Sequence, residues 1–304
     1  MADVKDEDIV AIGRVLNDEN RPLKERFRAL FTLKNIGGKL AIDQIEKGFN
    51  DPSALLKHEL AYCLGQMQDT QALSVLIKVL KDKTQEPMVR HEAGEALGAI
   101  GDSKVIPILE EYSKDPLPEV AETCELALRR LQWLDDPAST KEKLSKNPYA
   151  SVDPAPPCEM KSIDELKIIL LDENESLFNR YRAMFALRNI RTDESTIAIA
   201  EGLKAGTALF RHEIAFVLGQ LQEEVSVPYL KESLVDEKEN EMVRHECAEA
   251  LGAIATEDCL EILNKYLEDE KRVVRESCII ALDMCEYENS SEFQYADTLS
   301  EIVS

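Results

Sequence analysis

Long hydrophobic runs are missing from this chain of 304 residues. A membrane-spanning helix needs about 18 consecutive apolar residues, and no stretch approaches that length. The first residues, MADVKDEDIVAIG, are acidic and lack the apolar core of a secretory signal. We therefore expect a cytoplasmic protein that has no membrane partner.

Paired cysteine motifs and positive charge are also scarce. The seven cysteines are an odd number and form no CxxC motif, which favours reduced thiols over a disulfide framework. Cys158 is the cysteine that we expect to be most exposed. The chain has 36 Lys and Arg against 59 Asp and Glu, a formal net charge of −23. This balance disfavours nucleic acid as a partner and would attract a cationic ligand or a basic protein segment.

Histidine is rare too, but its placement is ordered. Only four histidines are present, and each is followed directly by glutamate. Their surroundings are copies of one another: KHELAYCLGQMQD from Lys57, RHEAGEALGAIGD from Arg90, RHEIAFVLGQLQE from Arg211 and RHECAEALGAIAT from Arg244. Weaker copies begin at Arg26, Val120, Arg180 and Val274. The chain therefore contains eight repeat units.

The spacing of these units is the same in both halves of the chain. Successive motifs are 31, 33 and 30 residues apart, and the second half repeats the first at a displacement of 154 residues. Units of about 30 residues with helical periodicity and no strand pattern are typical of stacked helical hairpins. We predict an all-α fold, an α-solenoid of eight HEAT-like helical-hairpin repeats in two symmetric four-repeat halves.

A stretch rich in proline separates the two halves. Five prolines lie between residues 135 and 161, too many for a continuous helix. We predict an N-terminal half at 1–134, a linker at 135–161 and a C-terminal half at 162–304. The outer units of each half lack histidine and are expected to act as caps, which places any chemistry in the middle of each stack.

The histidines fall on the side of their helices opposite the predicted core face. With about 100° per residue counted from Val89, His91 lies at about 200° and Glu92 at about 300°, whereas the apolar residues cluster around Val89. Glu95 lies at about 240°, on the histidine side, and Glu249 occupies the same position in the second half. Helices that pack about 8–10 Å apart would let two histidines on successive helices reach one ion.

The neighbouring glutamates supply oxygen donors for the same ions, and no cysteine shares this side of the helix. Nitrogen and oxygen donors without thiolate favour iron, with manganese or a catalytic zinc pair as alternatives. Two ions between two facing halves would satisfy the repeat symmetry. Each glutamate could bind the ion of its own half or reach across to the other. The candidate metal ligands are His58, Glu59, His91, Glu92, His212, Glu213, His245 and Glu246.

Two features next to the histidines have competing interpretations. The basic residue before each one (Lys57, Arg90, Arg211 and Arg244) could balance ligand charge or have a structural role. The repeated glycines form no phosphate-binding loop, and close approach of two helices explains them better. Two further hypotheses for the whole protein are a hydrolytic metal pair that activates water and a non-enzymatic scaffold that grips a basic partner.

The four His-Glu motifs, the eight units and the linker together resemble the deoxyhypusine hydroxylase family over essentially the full length. The resemblance implies a di-iron monooxygenase with two Fe²⁺ per chain and O₂ as co-substrate. Its implied substrate is the deoxyhypusine side chain of eukaryotic translation initiation factor five A, which becomes hypusine. The eight His-Glu positions would form the iron site, with catalytic, substrate or outer roles for Glu59 and Glu213. Glu95 and Glu249 are candidates for binding the cationic side chain.

Overall fold

The computed structural model describes residues 4–292 and 294–299. Sixteen α-helices account for most of this part of the chain, and its only β-pairing is one isolated bridge between Leu144 and Glu159. The eight helices of the first half are α1 Asp6–Leu16, α2 Leu23–Ile36, α3 Gly38–Lys47, α4 Ala54–Gln66, α5 Leu73–Lys81, α6 Pro87–Ile100, α7 Ile106–Tyr112 and α8 Pro118–Asp135.

Eight further named helices in the described part of the chain belong to the second half: α9 Ile163–Leu171, α10 Leu177–Ile190, α11 Asp193–Ala200, α12 Ala208–Leu221, α13 Val227–Val235, α14 Glu241–Ile254, α15 Glu257–Lys265 and α16 Arg272–Glu288. Each of the eight motif copies lies in an even-numbered helix, so every copy begins the second helix of a hairpin. The all-α architecture predicted from the repeats is therefore present. No helix in the described residues is long and apolar enough to cross a membrane.

The chain divides into two compact units. The N-terminal unit comprises the described parts of Met1–Leu131 and Ser291–Ser304, and the C-terminal unit is Gln132–Ser290. The segment after Ser290 packs in the N-terminal unit through Arg28 of α2, which pairs with Glu292 at 2.9 Å and lies 4.6 Å from the ring of Tyr295. The division predicted at 134 and 161 stays a prediction.

The proline-rich segment contains no α-helix between α8 and α9. It is nevertheless packed, because the fully buried Arg188 of α10 makes two bonds of 2.7 and 2.8 Å to the carboxylate of Asp153. Arg182 donates to the carbonyls of Pro156 and Pro157 in the same segment. This stretch is thus held along α10 within the C-terminal unit rather than being a free tether.

Local sequence fixes where the histidine helices start. Ser53 and Thr207 accept the backbone N–H of the third helical residue of α4 and α12, and Asn240 caps α14 in a similar way. Pro87 occupies the first turn of α6, where its missing N–H has no helical partner to lose. Each histidine helix therefore begins at a residue suited to its first turn.

Candidate metal centre

The histidines of successive repeats lie side by side in each unit. His58 on α4 and His91 on α6 have ring centroids 5.5 Å apart with an interplanar angle of 44°. His212 on α12 and His245 on α14 are 5.3 Å apart at the same angle. The repeat of the first half of the sequence in the second is thus matched by two nearly identical histidine pairs.

Glycine explains how the helices come close enough for this. A Cβ added to Gly65 of α4 would lie 2.7 Å from the Cα of Ala96 on α6, closer than real Cβ atoms approach. The same addition to Gly219 of α12 would lie 3.1 Å from the Cα of Ala250 on α14. The interpretation of the repeated glycines as points of close helix approach is confirmed, despite the helix propensity that glycine loses.

The burial of the histidines differs from the expectation of a polar helix side. His91 and His245 are fully buried, and His58 and His212 are only 3% and 5% exposed. The sequence places them opposite the apolar face, but α4, α6, α12 and α14 are enclosed on both sides. A helical wheel separates apolar from polar residues and carries no information about a second, polar side that is also buried.

The carboxylates lie at distances that suit a shared ion. His58 Nε2 is 3.3 Å from Glu92 Oε2, and His212 Nε2 is 3.4 Å from Glu246 Oε2. Two donors that each bind an ion at about 2.1 Å are separated by roughly 3.0–3.4 Å in octahedral or tetrahedral geometry. The observed spacings therefore fit two ligands of one cation.

Each unit assembles three such donors. In the N-terminal unit, ligand atoms of His58, His91 and Glu92 all lie within 4.8 Å of one another. In the C-terminal unit His245, Glu246 and Glu249 meet the same limit, and they correspond to His91, Glu92 and Glu95 of the first half. The donors are imidazole nitrogens and carboxylate oxygens, a set that suits iron and lacks the thiolates of structural zinc sites. The residues thus fit the metal that the resemblance implies.

The glutamate next to each leading histidine is also buried. Glu59 Oε1 lies 3.4 Å from the Nδ1 of His58, on the other edge of the ring from Glu92, and Glu213 is 3% exposed. Burial alone would lower the pKa of His58, but its interactions with Glu59 and Glu92 outweigh burial and hold that pKa well above its ordinary value. The site therefore favours positive charge.

The arginines before two of the histidines are structural. Arg90 Nε donates to the carbonyl of Leu80 at the end of α5, and its Nη2 lies 2.6 Å from Asp115 Oδ2. Arg244 makes the same contacts with Leu234 and Asp269. Since both arginines are 2% exposed, they join one hairpin to the next inside the stack.

Their acidic partners also shape the following helices. Asp115 Oδ1 accepts the N–H of Leu117, and Asp269 Oδ1 accepts the N–H of Lys271. Burial would raise the pKa of each aspartate, but the paired arginine and this backbone bond outweigh burial and lower the pKa. In the other two motifs Lys57 pairs with Glu86 and Arg211 pairs with Glu239, so these basic residues also have acidic partners from the following repeat.

One of the two candidates for substrate binding, Glu249, lies next to the metal donors. Glu249 Oε1 is 3.5 Å from His245 Nδ1, and Glu249 belongs to the C-terminal donor group. Glu95 is half-buried at the equivalent position after His91. The spacing of four residues between histidine and glutamate was the available signal, because it puts the two side chains on adjacent helical turns. Of the seven cysteines, Cys158 is the one that is not buried, as expected.

Known proteins resemble this chain over nearly its full length. A profile of HEAT repeats matches residues 42–129 and 198–283, which confirms the repeat fold. Deoxyhypusine hydroxylases of Drosophila pseudoobscura pseudoobscura and Drosophila melanogaster are 70% and 69% identical over 300 residues, 98% of each chain. The structure of human deoxyhypusine hydroxylase in complex with glycerol is 58% identical, with a TM-score of 0.89 over 93% of this chain and 97% of that one.

Proposed function

Because the chain belongs to the deoxyhypusine hydroxylase family and is a hydroxylating enzyme, we propose that it is a di-iron, O₂-dependent monooxygenase. Its substrate is the deoxyhypusine side chain of eukaryotic translation initiation factor five A in the cytoplasm, and its product is hypusine. The observation that carries this proposal is the histidine pair in each unit, with a carboxylate 3.3 Å from His58 in one unit and 3.4 Å from His212 in the other.

Two ferrous ions are the cofactor in this proposal. His58, His91 and Glu92 would hold one, and His212, His245 and Glu246 the other. When bound, the two ferrous ions would supply two electrons to O₂, so that one oxygen atom enters a C–H bond and the other leaves as water, and an external two-electron reductant would restore the iron. A hydrolytic metal pair would need no O₂, so oxygen dependence separates the two chemistries.

The protein's own residues would bind the metal ions and orient the substrate side chain. The near absence of exposure at the four histidines keeps bulk water from the donor atoms, which strengthens every electrostatic interaction there. Glu59 and Glu213 are buried carboxylates next to the histidines, and we assign them to holding an amine of the deoxyhypusine side chain. That side chain carries positive charge, so carboxylates in a protein of net charge −23 would attract it.

The test is metal analysis joined to an oxygen-dependent assay. Protein purified from an iron-sufficient host should contain about two irons per chain. It should hydroxylate the deoxyhypusine-bearing factor in air and not under nitrogen. Turnover without oxygen would point to the hydrolytic pair. Absence of any metal after iron reconstitution, with partner binding retained, would favour the scaffold.

A further inference from the structure

A buried hydroxyl on the outermost repeat of the C-terminal unit reaches the donor group. Ser277 lies on α16, which carries no histidine, and its side chain is fully buried. Its Oγ donates a hydrogen bond of 3.1 Å to Glu249 Oε1. The last repeat therefore does more than cover the stack, because it contacts a carboxylate in the middle of it.

The same carboxylate oxygen faces a histidine. Glu249 Oε1 is 3.5 Å from His245 Nδ1, one helical turn earlier on α14. A histidine that binds metal through one ring nitrogen usually donates its other N–H to a carboxylate, which fixes the tautomer and the ring orientation. Glu249 is placed to accept from Nδ1 and to leave Nε2 of His245 for the metal.

The N-terminal unit carries an equivalent hydroxyl with different packing. Thr123 corresponds to Ser277 in the repeat alignment of the two halves, and it is 1% exposed. A Cβ added to Gly94 would lie 2.7 Å from the γ-methyl of Thr123. In the C-terminal unit the equivalent of Gly94 is Ala248. The methyl group thus belongs to Thr123 on α8 in the N-terminal unit, whereas in the C-terminal unit it belongs to Ala248 on α14.

Because the methyl group changes helix while the hydroxyl stays at the same position, the hydroxyl can be considered apart from the packing. If the position served only to fill space, alanine beside Ala248 and valine beside Gly94 would do so without burying a polar group, which is unfavourable unless the group is hydrogen-bonded. Both units instead keep the hydroxyl while the methyl changes place. Thr123 Oγ1 makes no hydrogen bond to the described residues of the N-terminal unit, so the bond from Ser277 to Glu249 is particular to the C-terminal unit.

We propose that Ser277 is a positioning residue of the C-terminal metal site, which holds the Glu249 carboxylate so that it orients His245. The proposal rests on the proposed iron centre and adds a residue of the outer repeat to it. Because Ser277 acts through two other side chains, its removal should weaken metal binding without abolishing it.

The test uses two variants at the same position. Ser277→Ala removes the hydroxyl, and the double variant Ala248→Gly with Ser277→Thr keeps it and reproduces the glycine–threonine pair of the N-terminal unit. Apo-protein is titrated with ferrous iron without oxygen, and thermal unfolding of each apo-protein reports folding. Ser277→Ala should weaken the second iron about tenfold, the low end for residues that support a metal ligand. The double variant keeps a hydroxyl that can reach Glu249, so it should bind iron more tightly than Ser277→Ala does.

Each outcome decides the proposal. Unchanged iron affinity in Ser277→Ala overturns it while leaving the di-iron enzyme intact, provided that the wild type binds two irons and hydroxylates. Equal loss in both variants also overturns it, since packing rather than the hydroxyl would then be responsible. A wild type that binds no ferrous iron would reject this proposal and the proposed function together. If Ser277→Ala fails to fold, Glu249→Gln is titrated instead, and unchanged iron affinity in that variant overturns the proposal.

Discussion

The two units hold the same donors in different packing. The centroids of their histidine pairs are 5.5 and 5.3 Å apart, and the interplanar angle is 44° in both. Around them the chain changes freely: Tyr62 corresponds to Phe216, Cys63 to Val217, Gly94 to Ala248 and Thr123 to Ser277. The positions of the histidines and the charges of the glutamates are therefore the same in both units where a cation would bind, whereas the side chains that pack around them differ.

Removing one histidine from each unit should disturb this symmetry most strongly. We expect His91→Ala and His245→Ala each to lower iron from about two to about one per chain. Hydroxylation should fall more than about 100-fold in both, since residues that only support ligands already cost about 10–100-fold. Metal analysis and the hydroxylation assay measure the two effects on the same preparations. Loss of both irons from a single variant would mean that the two sites share ligands, against one site in each unit.

Most of the fold was accessible from the sequence, because repeats are visible as a period along the chain. The motif at Arg90 and its copies place eight helices without knowledge of any contact, and the prolines near Pro154 predict the break between the halves. The fourfold His-Glu pattern predicts which residues gather at the site. These features depend on spacing along the chain, which a sequence shows directly.

The features that the sequence does not show depend on contacts between residues of different helices. The burial of His91 follows from what covers the polar side of its helix, which a helical wheel does not represent. The contact between Ser277 and Glu249 joins residues on different repeats, so neither motif contains it. The sequence does not distinguish charge balance from a structural role for Arg90, because its partner Asp115 lies 25 residues ahead, beyond the motif.

The arginines that join the hairpins should matter equally in both units. Arg90→Ala leaves the side chain of Asp115, 2% exposed, without its cation, and Arg244→Ala does the same to Asp269. Breaking a buried ion pair from one side costs about 3–5 kcal/mol, so we expect that loss in the free energy of unfolding for each. Urea titration of both variants measures it.

Lys57→Ala is the control for the arginines, because its partner Glu86 is 41% exposed and can be solvated. An exposed pair contributes at most about 1 kcal/mol, so this variant should remain close to the wild type. If Lys57→Ala were as damaging as Arg90→Ala, burial of the acidic partner would not explain the role of the arginines. A large difference between Arg90→Ala and Arg244→Ala would show that the two units are not equally dependent on this joint.

The smallest expected effect comes from adding a methyl group where two helices approach closely, and it should differ between the units. In Gly65→Ala the new Cβ would lie 2.7 Å from Ala96 Cα, so backbone must move, whereas in Gly219→Ala the distance to Ala250 Cα is 3.1 Å. Overpacking costs about 1–3 kcal/mol, which we expect for Gly65→Ala. In Gly219→Ala a gain of about 1 kcal/mol in helix propensity offsets a milder strain. The free energy of unfolding should therefore be lower for Gly65→Ala than for Gly219→Ala. Iron affinity should fall only in Gly65→Ala, because only there must the backbone that carries His58 and His91 move. Equal losses would mean that the closer approach in the N-terminal unit has no energetic consequence.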